Sequence, residues 1–170
     1  MTSIVNLDRL GLASGQGLRL DVPIRPSGLE LGGQTYGVSP DQVTARLDVS
    51  RTTTGHAFRL RFPLRLEGPC MRCLENAGVE LEVDAREVDQ PGGVDEDLSS
   101  PYVEEGELDA GRWARDAVVL ALPGQVLCRE DCAGLCAVCG ESLNDADPEA
   151  HRHSASGDPR MAKLRDLKLE

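Results

Sequence analysis

The side chains in this 170-residue chain that could do chemistry are thiols and imidazoles. All six cysteines fall in two clusters, CMRC with Cys70 and Cys73, and CREDCAGLCAVC with Cys128, Cys132, Cys136 and Cys139. Two of the three histidines, His151 and His153, follow in the tripeptide HRH. Zinc takes four sulfur or nitrogen ligands tetrahedrally, with sulfur at about 2.3 Å. Two cysteines separated by two residues reach one ion where the chain turns tightly, and Gly134 and Gly140 relieve the crowding of such turns. Eight candidate ligands supply one or two Zn2+ ions, and three groupings stay open. Cys128, Cys132, Cys136 and Cys139 can share one ion. Cys136 and Cys139 can instead join His151 and His153. In the third, Cys70 and Cys73 join Cys136 and Cys139, which leaves Cys128, Cys132, His151 and His153 for a second ion.

No reaction is written beside these ligands. The chain has no Ser/His/Asp order, no helical His-Glu-x-x-His and no glycine-rich phosphate loop. A catalytic zinc keeps one position open, whereas a surplus of ligands argues for closed, structural sites. The expectation is therefore a protein that is not an enzyme, with no catalytic residue and no small-molecule substrate. The competing reading is a thiol oxidoreductase using Cys70 and Cys73. A redox Cys-x-x-Cys usually opens a helix within a strand–helix unit, but strand-like runs flank this one. His56 heads a strand and reads as structural or exposed.

The elements that must position these ligands are mostly strands. LRLDVPI (18–24), VTARLDVSR (43–51), HAFRLRFPLRLEG (56–68) and VELEVDAREV (79–88) alternate apolar and polar residues, the period of half-buried strands. TTTG at 52–55 reads as a hairpin turn, and CMRC falls where the next hairpin tip belongs. Residues 27–42, rich in Gly and Pro, read as a loop with at most one short strand. Residues 89–109 carry eight acids and no Lys or Arg, and read as a solvated loop with an acidic binding surface as the sharper alternative. A helix is expected over 109–122, capped by Asp109 and closed by Pro123–Gly124, with Trp113, Ala117, Leu120 and Ala121 on one face. A short terminal helix is expected from Asp158 and Pro159 onward.

Composition narrows the partners. Aromatic residues make up 3 % of the chain, so Leu, Val and Ala do most of the packing and a cross-link adds much. The formal net charge of −11 opposes direct contact with a phosphate backbone. No apolar run approaches the length of a membrane span. The segment MTSIVNLDRLGLASGQG does not have the form of a secretory signal, so a cytoplasmic location is expected.

Taken in order, the motifs resemble the large ribosomal RNA subunit accumulation protein (YceD) family in its cysteine-rich, zinc-binding version. GPCMRCLE follows the strand LRFPLRL, then come an acidic loop and the helix GELDAGRWARDAVVLALP. LCREDCAGLCAVCGESLN and DPRMAKLRDL complete the set, which runs over roughly residues 18–168. Where the cysteine-rich version often carries Cys-x-Cys after the Leu-Asn, this chain has HRH, and histidine is an equally good zinc ligand. The resemblance implies a non-enzymatic factor supporting accumulation of large-subunit ribosomal RNA. A net negative protein would do this through a basic ribosomal protein or assembly factor rather than by holding RNA itself. A zinc-stabilised protein-interaction or thiol-sensitive regulatory module is the alternative. The expected fold is α+β: an antiparallel, mostly-β body with one packed helix (1–124), then a zinc-binding module and the C-terminal helix (125–170).

Overall fold

The computed structural model describes residues 3–26, 28–92, 98–147 and 149–153. In chain order they form strands β1 (Ile4–Asn6), β2 (Gly17–Ile24), β3 (Leu29–Leu31), β4 (Gln34–Ser39), β5 (Val43–Arg51), β6 (His56–Pro69), β7 (Asn76–Asp89), β8 (Val103–Glu104) and β9 (Glu107–Asp109). Helix α1 (Ala110–Leu120) follows. The fold is α+β, mostly antiparallel sheet with one helix and a cysteine-rich region after it.

β6 is the axis of the main sheet. Its even-numbered side chains, from His56 and Phe58 to Leu64 and Leu66, are buried, because successive side chains on a strand point to opposite faces. One edge of β6 pairs with β7 along its whole length, from His56 opposite Asp89 to Pro69 opposite Asn76. The other edge is shared end to end. β5 takes the stretch from His56 to Arg61, and β4 takes the stretch from Arg65 to Glu67. β2 extends the sheet beyond β5, and β3 extends it beyond β4. A second, small sheet has the order β1-β9-β8.

The outward face of the main sheet is a lattice of opposite charges. Arg59 grips Asp84 with two bonds of 2.7 and 2.6 Å. Arg65 reaches Glu67 and Glu80 at 2.7 Å each. Asp48 accepts from Arg19 at 2.7 Å and from Arg61 at 2.5 Å. The Arg19 bond leads the causes that hold the Asp48 carboxyl below the usual range. Such exposed pairs contribute about 0–1 kcal/mol each, but a one-residue slip of β6 would turn its arginines into the core, so they fix register.

α1 closes the dry face. Asp109 caps it by accepting from the Arg112 amide at 2.9 Å, and Ala110, Trp113, Ala114, Ala117 and Val118 are buried. Trp113 meets the Phe58 ring edge-on and lies against Tyr102, each at 6.3 Å between centroids. Among the described residues no helix is long and apolar enough to cross a membrane.

Three expectations are corrected. Residues 29–39 form a hairpin, β3–β4, because the two-residue Gly32–Gly33 turn has both φ values positive (58° and 78°), the backbone that a tight hairpin demands. Within the acidic stretch, residues 98–109 are built into the fold. Leu108 is fully buried, Ser100 and Asp89 are buried, and the Ser100 amide donates to Asp89 at 3.1 Å. Acidic composition hid a few inward side chains whose burial suffices to order the segment. Leu120 does not share the buried helix face: it is 88 % exposed, and Ala114 and Val118 stand on that face instead. The expected terminal helix from Asp158 lies outside the described residues.

Candidate metal centres

The β6–β7 hairpin carries CMRC at its tip, as the alternating runs on either side require. There the chain makes a tight knuckle: the Cys70 amide donates to the Glu75 carbonyl at 2.7 Å, and the Leu74 amide donates to the Cys70 carbonyl at 3.0 Å. The same turn recurs in CAVC. The Cys136 amide donates to the Glu141 carbonyl at 2.8 Å, and the Gly140 amide donates to the Cys136 carbonyl at 2.8 Å. Both turns need a left-handed residue one position after the second cysteine, Leu74 at φ 63° and Gly140 at φ 75°.

The knuckles belong to different ligand groups. Cys70, Cys73, Cys128 and Cys132 converge in one, and Cys136, Cys139, His151 and His153 in the other. In each group the donor atoms lie within 4.8 Å of one another. Of the three groupings open from sequence, the structure gathers Cys136, Cys139, His151 and His153. It does not gather the four downstream cysteines, nor does it join CMRC to Cys136 and Cys139. The partners of Cys70 and Cys73 are Cys128 and Cys132.

The inner group is buried. Cys70, Cys73 and Cys132 are 0, 4 and 2 % exposed and belong to the hydrophobic core. The sulfurs of Cys70 and Cys132 lie 3.7 Å apart, and those of Cys73 and Cys128 lie 3.5 Å apart. These are far beyond a disulfide, about 2.05 Å, and near the sulfur–sulfur edge of a zinc tetrathiolate, about 3.8 Å for bonds of about 2.3 Å. The outer group is half open to water: Cys139 and His153 are exposed, His151 is half-buried and Cys136 is buried. Cys139 Sγ lies 3.5 Å from His151 Nδ1, against an expected edge of about 3.6 Å for a sulfur and a nitrogen on one zinc. His151 Nε2 faces Glu141 Oε2 at 3.8 Å, a carboxylate placed as metal-bound imidazoles usually have one.

Electrostatics point the same way. Burial raises the Cys70 thiol, but amides led by those of Cys73 and Arg72 outweigh it and bring it down to about 6. The amides of Cys139 and Val138 bring Cys136 to about 6 in the same manner. Burial, with the neighbouring sulfurs, pushes Cys128 up to about 12. The four inner sulfurs cannot all ionise this close without a cation between them, and the outer group sets two sulfurs beside two imidazoles, so both groups could hold a soft divalent metal.

Several supporting residues stand outside the ligand list read from sequence. Arg72, inside CMRC, donates to the Cys132 carbonyl and to Gln125 Oε1, both at 3.0 Å. The Met71 amide donates to the Val126 carbonyl at 2.9 Å, and Val126 is 1 % exposed. Together these clamp the Cys128–Cys132 segment on the hairpin tip. Asn144 Oδ1 accepts from the Ala133 amide at 2.9 Å. At Gly134, φ is +79° and a Cβ would sit 3.3 Å from the Arg72 carbonyl oxygen. From below, Tyr36 donates to the Pro69 carbonyl at 2.7 Å, and a side chain at Gly68 would run into the Tyr36 ring. Arg72 and Asn144 sit inside the two cysteine-rich motifs and were open to notice. Tyr36, more than thirty residues upstream, left no local signal.

The sequence matches the family described as large ribosomal RNA subunit accumulation protein YceD over residues 58–168, which spans all eight candidate ligands. The chain belongs to the YceD family. Similar proteins include an uncharacterized protein of Mycobacterium tuberculosis, 37 % identical over 106 residues that cover 59 % of this chain and 49 % of the relative. One of Mycobacterium bovis has the same identity and coverage, 37 %, 59 % and 49 %. One of Mycobacterium leprae is 44 % identical over 66 residues, 39 % of this chain and 29 % of the relative. The chain spans about half the length, or less, of these curated relatives. No solved structure matches it.

Proposed function

We propose that this protein is a non-enzymatic, zinc-stabilised factor of the cytoplasm that supports accumulation of large-subunit ribosomal RNA. The observation that carries this reading is the family match over residues 58–168, with both four-ligand groups inside it. S4 and S2N2 donor sets with near-tetrahedral spacings select zinc over harder cations. When bound, zinc supplies cross-linking and neutralises thiolate charge. The residues around it hold and shield: Arg72 and Val126 seat the downstream segment on the hairpin tip, and Glu141 faces His151. CMRC lies between strands with two further thiols beside it, so architecture is favoured over thiol exchange. The net charge of −11 favours a basic ribosomal protein or assembly factor as the partner over bare RNA.

The test is depletion in the native host. The ratio of large-subunit to small-subunit ribosomal RNA falls on depletion, and the wild-type chain restores it. A Cys70→Ser/Cys73→Ser chain does not. An unchanged ratio overturns the reading. Salt-sensitive binding of purified protein to ribosomal RNA alone overturns the part that concerns the partner.

A further inference from the structure

Among the described residues β7 has one partner strand. Its inner edge pairs with β6 along all 14 residues, and its outer edge meets no strand among the described residues. An unpaired edge presents a row of N–H and C=O groups ready to add a strand. Along Glu82–Glu87 this edge forms one wall of a cavity of about 330 Å³, whose other wall is α1 with Tyr102. Trp113, Ala117 and Ala121 give that wall an apolar surface, and Leu120, 88 % exposed, stands at its end. A strand edge facing an apolar helix wall is the geometry in which an extended segment adds as a strand and seats alternate side chains.

Charge says what kind of segment. Glu82 and Glu87 line the cavity with Arg86, and Asp84 beside them is already held by Arg59, so most of the free charge lies farther along. Tyr102 also walls a second hollow, where Glu104, Glu105, Glu107 and Asp109 face Arg112. A segment leaving the apolar cavity past Tyr102 thus meets four more carboxylates, an arrangement that repels nucleic acid and attracts lysine and arginine. We propose that the outer edge of β7 and the facing wall of α1 form the docking groove for an extended basic segment of a partner protein. The segment pairs with β7, places an apolar side chain against Trp113, and lays its cations on the acidic hollow. This rests on the basic-partner reading above and gives that partner a place on the molecule.

The experiment uses the full chain and a fluorescent peptide of alternating Lys-Leu-Lys-Val, read by anisotropy and hydrogen exchange. The peptide is expected to bind and to slow exchange at amides of Glu82–Glu87. Methylating its alternate amide nitrogens, or the Leu120→Glu change at an exposed site, weakens binding about tenfold or more. Glu104→Lys with Glu107→Lys weakens it and flattens its salt dependence. Equal binding of the methylated peptide with no new protection overturns the proposal. So does an edge already protected in the free chain, whether by a second copy seen in sedimentation or by the segment beyond His153, shown by its removal exposing the edge. Co-sedimentation with ribosomal precursors separates the two readings. If Leu120→Glu loses the peptide but keeps the precursors, the groove is not the partner's site and the function stands. If the groove passes every test while depletion leaves ribosomal RNA unchanged, the function falls and the docking site stands.

Discussion

The inner and outer ligand groups use the same knuckle turn for different ends. The inner group joins sulfurs 62 and 55 residues apart in sequence, at the tip of the longest hairpin and inside the core. The outer group draws its ligands from residues 136–153 alone, with Cys139 and His153 exposed to water. Loop-closure entropy by itself separates the two modestly, about 4 kcal/mol for the inner span against about 3 for the outer. What separates them further is dependence. Val126, Arg72 and the end of β6 lean on the inner cage, while the outer one orders chiefly its own loop. One local turn can serve as a keystone or as an appendage, according to what packs on it.

The comparison breaks most visibly by deleting a ligand from each group. Cys70→Ser should remove one metal per chain and destabilise the body by about 4 kcal/mol, read by urea denaturation and elemental analysis. His153→Ala should also remove one metal, yet leave hydrogen exchange in β6 and β7 as in the wild type. Equal losses from both would show that the distinction is false. A chelator added in steps should next sharpen it. With Cys139 and His153 exposed, the outer group should surrender a bound ion first, and native mass spectrometry should show a one-metal species that keeps the hairpin protected. Because the ligands bind deprotonated, lowering the pH should favour release. Loss of both ions together counts against separate sites.

A smaller effect tests the turn itself. Leu74 stands at φ 63° where the outer knuckle has Gly140, and a non-glycine residue in that region costs about 1–2 kcal/mol. After glycine's own entropy cost, Leu74→Gly should stabilise by about 0.5–1 kcal/mol in urea, and Gly140→Ala should weaken metal retention in the outer group only. Of similar size is Tyr36→Phe, which removes the hydroxyl that donates to the Pro69 carbonyl beside Cys70 and should cost about 1 kcal/mol. It should lower metal retention in the inner group and leave the outer one unchanged. Equal effects on both groups would mean that Tyr36 supports the fold at large rather than the inner knuckle.

Much of this was legible in the sequence because its signals are local. Alternation placed β2, β5, β6 and β7 to within a few residues, the Thr52–Gly55 turn was readable, and Asp109 announced the start of α1. The eight ligands stood out by type and spacing. Their grouping did not, since which cysteine meets Cys70 is decided by how the chain returns after α1, and that depends on Arg72, Val126 and Met71 meeting across more than fifty residues. The β3–β4 hairpin escaped because glycine reads as a loop until both φ values are known. β8 and β9 were hidden by acids flanking the one inward leucine, Leu108. Leu120 was misassigned because helical spacing gives an angle, and only tertiary packing says where the buried arc ends.

The separation between Cys73 and Cys128, 55 residues, also sets an order of events on the ribosome that makes this chain. At about 5–20 residues per second, the hairpin thiols emerge about 3–11 s before their partners. During that interval a nascent chain carries a half-built cage, open to oxidants and to borrowed metal, whereas the ligands of the outer group leave the tunnel almost together.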